Sequence, residues 1–115
     1  MGNPMYQMKM RSIRKILMGG SDFGVIKIGN HSKKRLAKRG YTRRDIVCCL
    51  MNGTVHEVQT GFHNEAQKTC FNYVITGADY DNNPVVVVLA EVTEKLFHVV
   101  TVMPPTDHSR FDCCI

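Results

Sequence analysis

Apolar positions along this chain follow two different periods, and the change falls at Gly53. Before it they recur every three to four residues, the spacing of one helix face. After it they alternate, as in strands half-buried on a sheet. Met5, Met8, Ile13, Ile16 and Leu17 mark a first helix over 5–18, stopped by Gly19 and Gly20. Phe23 to Ile28 reads as a short extended segment. A second helix runs from His31 to Arg39 and stops at Gly40. Thr42 reads as an N-cap with Asp45 three positions on, a weaker form of the capping box. The third helix spans 43–52 and ends at Gly53, a good residue just past a helix. Strands follow near 54–60, 70–78, 84–92 and 96–103. Asp81-Asn82-Asn83-Pro84 turns the second of these into the third, Thr93-Glu94-Lys95 separates the third from the fourth, and Pro104-Pro105 ends the sheet.

Helices first and a meander afterwards define an α+β fold: N-terminal helices packed on one face of a C-terminal twisted antiparallel β-meander. A chain of 115 residues is expected to form one domain over 1–115, with a core over about 5–105 and a loose tail over 106–115. On the third helix Ile46, Val47, Leu50 and Met51 fall within about 140° of arc and are expected in the core. Cys48 and Cys49 lie off that stripe, so at least one of them is expected to be partly exposed. Val85 to Ala90 is apolar on both faces, as befits a central strand with helices on one face and some cover on the other. It is also the longest apolar run, far short of the roughly 20 residues that span a bilayer. The basic N-terminus lacks the continuous apolar segment of a signal peptide, so a cytoplasmic protein is expected.

Charge is distributed very unevenly. Residues 1–44 hold twelve Lys and Arg against the single acid Asp22; residues 45–115 hold three against nine acids, and the halves sum to the overall +5. Seven of the cations lie between Lys33 and Arg44. On the second helix His31, Lys34, Arg35, Lys38 and Arg39 share about 140° of arc, which makes a cationic ridge. Such a ridge beside a small core suits an RNA backbone, where phosphate contacts supply most of the affinity. The ordinary alternative is a solvated helix face whose Arg35 and Arg39 pair with acids such as Glu57 or Glu91. The five cysteines are odd in number and show no Cys-x-x-Cys spacing, which points to free thiols rather than a disulfide framework or a zinc ribbon. His108, Cys113 and Cys114 make a poor ligand set, and neither a metal nor a cofactor is expected.

His31, Arg35, Arg39-Gly40, the helix with Val47, and Asn52-Gly53 together resemble a bacterial family catalogued as domain of unknown function 4258. A Gly-containing hairpin, an apolar strand and Thr101-Val102 before the prolines extend the resemblance over roughly 25–105. The resemblance implies a RelE-like fold within the RelE/ParE and MqsR-like toxin grouping. Members of that grouping include ribosome-dependent and free mRNA endoribonucleases, often paired with a small antitoxin. It implies RNA or the ribosome as target, and an acidic or zinc-finger antitoxin as protein partner.

A metal-independent ribonuclease activates a 2′-hydroxyl, stabilises a phosphorane and protonates the 5′-oxygen. His31 and His98 are the natural titrating candidates. His31 and Arg35, one turn apart, are assigned the catalytic roles, the first in proton transfer and the second in charge stabilisation. Lys34, Lys38, Arg39, Arg43 and Arg44 are assigned to phosphate, since cationic side chains clamp its oxygens. Tyr73 is added as a proton donor or a base-stacking platform, although its alternation with Phe71 and Ile75 also fits a core ring. The rival reading is a non-catalytic interaction module whose basic helix docks an acidic protein or ribosomal RNA. Lys68 is the only Lys or Arg from residue 45 through residue 94, and a sheet so poor in cations favours that rival.

Overall fold

The computed structural model describes residues 4–19, 22–63 and 67–105, with His31 described at its backbone only. Three helices precede the meander: α1 (Pro4–Gly19), α2 (Asn30–Arg39) and α3 (Arg43–Asn52), with strand β1 (Val25–Ile28) between the first two. The meander is β2 (Thr54–His63), β3 (Lys68–Ala78), β4 (Pro84–Thr93) and β5 (Leu96–Met103). The expected α+β architecture is present. Neighbouring strands from β2 to β5 pair antiparallel, and the sheet order is β1-β5-β4-β3-β2. The sheet is nevertheless mixed, because β1 joins the free edge of β5 in parallel. Ile26 and Ile28 explain the attachment, since both pack against the helix-side core. No described helix is long and apolar enough to cross a membrane. The tail over 106–115, with His108, Cys113 and Cys114, lies outside the described residues.

The main core lies between the helices and one sheet face. Met10, Ile13 and Ile16 of α1, Leu36 of α2, and Ile46, Cys49 and Leu50 of α3 meet Val55, Tyr73, Ile75, Val85, Val87, Leu89, Phe97, Val99 and Val102. The second face of β4 carries a smaller cluster of Val74, Val86, Val88 and Met103, as its unbroken apolar run requires. α3 departs from the expected stripe. Val47 is 37% and Met51 39% exposed, whereas Cys49 is fully buried and Cys48 partly so. The helix is turned so that Ile46 and Leu50, at one side of the expected arc, and Cys49, beyond its edge, face the sheet. Burial pushes the Cys49 thiol up to about 12, so it serves as a small core side chain.

Local chemistry sets the helix ends. Gly40 adopts φ 79°, and its N–H and that of Tyr41 return to the Ala37 and Leu36 carbonyls, a left-handed cap that favours glycine. Gly53 is different: its backbone is extended, and an added Cβ would stand 2.5 Å from the carbonyl oxygens of both Cys49 and Thr76. Glycine is needed there for close approach of α3 to β3. Arg14 donates to the Leu50 and Gly53 carbonyls at this same helix end, where positive charge is favoured. The Thr42–Asp45 capping box is complete.

Asp45 does more than cap. Its carboxylate accepts from Thr42 N–H at 2.8 Å, from the Thr42 hydroxyl, and from Tyr80 N–H at 3.1 Å in the β3–β4 turn. Burial pushes its carboxyl up, but these donors and the nearby Arg44 outweigh it and hold the group below the usual carboxylate range. Asp45→Asn is therefore expected to cost about 1–3 kcal/mol at neutral pH. Because the folded value is depressed, this stabilisation is complete above the unfolded value of about 3.9 and is lost as pH falls through the lower folded one. The gap between the urea midpoints of wild type and variant should thus be smaller at pH 3 than at pH 7. An equal gap at both pH values would disprove the contribution.

Candidate nucleic-acid interface

The cationic cluster is built on α2 and the first turn of α3. Leu36 is buried and anchors α2, while Lys33, Lys34, Arg35, Lys38 and Arg39 are exposed. α2 follows β1 directly and lies along β5. The Ser32 hydroxyl donates to the Val99 carbonyl at 2.8 Å, and Arg39 Nη1 donates to the Val102 carbonyl at 3.0 Å. Two side chains thus continue the edge that β1 begins. This gives Arg39 a structural role and weakens its assignment to phosphate. Arg44 also has an internal contact: its guanidinium stacks 4.2 Å over the Tyr80 ring. Arg43 is exposed and borders a separate cleft of about 320 Å³ between α1, β1 and α3.

Lys34, Arg35 and Lys38 remain. They line one shallow depression with Ala37. The acids considered as partners for the ridge are engaged elsewhere. Glu91 pairs with Lys9 at 2.8 Å and accepts from Tyr73 at 2.7 Å, and Glu57 accepts from Gln59. Among the described residues no carboxylate pairs with α2, so none of them neutralises its exposed cations. The backbone of His31 lies in the first turn of α2, one turn before Arg35; its side chain lies outside the described residues.

Tyr73 does not belong to this surface, which corrects its assignment as a stacking platform. It points to the helix side of β3, its ring is 7% exposed, and its hydroxyl is held by Glu91. Burial and that bond push the hydroxyl well above the usual phenol range. Lys9 lies over the ring, 5.3 Å from its centroid. Tyr73, Glu91 and Lys9 together fasten α1 to the sheet.

A family model described as a domain of unknown function, DUF4258, matches residues 28–104, about two thirds of the chain. The chain belongs to the DUF4258 family. No curated protein and no solved structure matches it at a level that supports a relationship. The DUF4258 segment begins at the last residue of β1 and takes in α2, α3 and the whole meander, so the cationic ridge lies within it. α1, which contributes Met10, Ile13 and Ile16 to the core, precedes the matched segment.

The DUF4258 segment also holds a constellation that periodicity could not reveal. His63 Nε2 of β2 and His98 Nδ1 of β5 lie 2.8 Å apart. His98 is 9% exposed and His63 half-buried. His98 was legible as a histidine in an apolar strand, but nothing in the sequence singled out His63. Among the described residues no three His, Cys, Asp or Glu side chains converge to hold a metal ion.

Proposed function

We propose that this DUF4258 protein is a toxin-like RNA-binding protein acting as a metal-independent endoribonuclease of a toxin–antitoxin pair, with a RelE-like organisation. The observation that carries this reading is the set Lys34, Arg35 and Lys38, exposed on one helix and paired with no carboxylate among the described residues. Three cations at helical spacing present one positive face, and an RNA backbone offers phosphates to meet it. Arg35 is the member suited to stabilise charge developing at a phosphate, through bidentate donation. An acidic or zinc-finger antitoxin would restrain the protein by covering the same face. Cytoplasm is the expected setting.

The test is induction of the wild-type protein in a bacterial host, followed by mapping of RNA ends. Growth arrest with new ends, also produced by the purified protein in EDTA with or without ribosomes, is the expected result. His31→Ala and Arg35→Ala run alongside, since His31 is the proton-transfer candidate on α2. No wild-type cleavage under any of these conditions would transfer the function to the non-catalytic alternative, docking of an acidic protein or ribosomal RNA. That alternative draws on the meander's poverty in cations.

A further inference from the structure

β2 and β5 are separated in the sheet by β3 and β4. On a flat sheet their backbones would stand about 14 Å apart, three strand spacings. Register shifts at Val55/Glu57, Val88/Leu89 and Glu91/Thr93 bend the strands, and the two imidazoles meet nearly perpendicular, at 87°. Both project from the face opposite the helices. His98 alternates with Phe97 and Val99 of the main core, and His63 pairs with Lys68, which alternates in the same way with Tyr73 and Ile75.

Contact at this distance requires one ring nitrogen to donate and the other to accept, so the pair shares a single proton across the bond. The buried His98 thereby holds the more accessible His63 by its Nε2 and leaves Nδ1 of His63 as the nitrogen to meet a substrate. Cations flank the pair on both sides. Lys27 is the register partner of His98 on β1, and Lys68 that of His63 on β3, with its amine on the Val92 carbonyl at 2.7 Å. Gln59 and Asn72, themselves register partners on the same face, add polar groups.

We propose that His63 is the proton-transfer residue for phosphodiester cleavage and that His98 positions it, an inference that rests on the RNA-cleaving reading and moves proton transfer from His31 to the curled sheet face. His63 Nδ1 takes the proton of a ribose 2′-hydroxyl. The 2′-oxygen forms a bond to phosphorus, and the bond from phosphorus to the 5′-oxygen breaks. The imidazolium then returns its proton to that oxygen, leaving a 2′,3′-cyclic phosphate and a 5′-hydroxyl. Atoms and protons balance without an external reactant.

The experiment is single-turnover cleavage of an RNA that the wild type cuts, paired with RNA binding and thermal melts for each variant. His63→Gln keeps a nitrogen where Nε2 stood but cannot carry the proton. It is expected to fold, to bind RNA like wild type and to cleave about 10²-fold more slowly or worse. His98→Asn places an amide near the Nδ1 position and should retain most of the rate, whereas His98→Leu should lose it with binding unchanged. The wild type should show a protected N–H···N proton resonance that His98→Leu abolishes; a purely structural role for His98 would not produce this pattern of loss and rescue. Cleavage by His63→Gln at the wild-type rate, with His31→Ala inactive, would overturn the assignment and leave the RNA-cleaving reading standing. Binding without cleavage by the wild type would overturn both.

Discussion

Leu50→Ala is expected to lower the free energy of unfolding by about 2–5 kcal/mol. Leu50 has no exposed surface and belongs to the core that joins α1, α3 and the sheet. The site cannot easily collapse onto the missing methyl groups. The sheet on one side is held by continuous strand pairing, and Gly53 fixes α3 against β3 by backbone contact. The truncation should therefore leave a cavity in addition to the lost transfer energy. Met51→Ala, one residue on and 39% exposed, is the control and should cost much less. Urea unfolding measures both, with the slope unchanged if the transition stays two-state. Equal losses for the two variants would contradict the observed orientation of α3.

Lys34→Glu/Arg35→Glu/Lys38→Glu is expected to abolish the salt-dependent part of RNA binding. Three phosphate contacts on single-stranded RNA imply a log–log salt slope of about −2, or roughly a 20-fold loss of affinity when salt rises fourfold. Reversing three charges turns that attraction into repulsion, and all sequences should weaken alike because phosphates carry no sequence information. The variant is expected to fold normally, since these side chains are exposed and pair with no described carboxylate. Arg39 and Arg44 are left intact because each has an internal contact, to the Val102 carbonyl and the Tyr80 ring. Filter binding across a salt series checks the prediction. Salt-independent wild-type binding, or an unchanged slope in the variant, would refute it.

Much of this fold is legible one segment at a time. Thr42 and Asp45 form their capping box because both partners lie within one helical turn. Gly40 ends α2 because the left-handed cap concerns its own backbone. The alternation after Gly53 announces four strands because a strand's two faces are defined residue by residue. The exposure of Lys34, Arg35 and Lys38 also follows from a helix with almost nothing apolar to bury. Other features depend on what an element meets. A helical wheel shows that Ile46, Val47, Leu50 and Met51 share an arc, but not which edge of it faces the sheet. Cys49 is buried, and Met51 is not, because α3 is turned between α1 and β3. Tyr73 fitted both a core ring and a stacking platform until Glu91, eighteen residues away, took its hydroxyl. Arg39 resembles every other cation of α2 until β5 offers it a carbonyl sixty-three residues later. β1 has no partner in its own neighbourhood and finds one in the last strand. The His63–His98 contact is the extreme case: His98 is marked locally only as a titrating residue in an apolar strand and His63 not at all, and only the bending of four strands brings them together. Local energies are settled by neighbours in the chain, whereas register, sheet curvature and helix rotation minimise exposed apolar surface over the whole molecule, and that sum is taken only when the chain is folded.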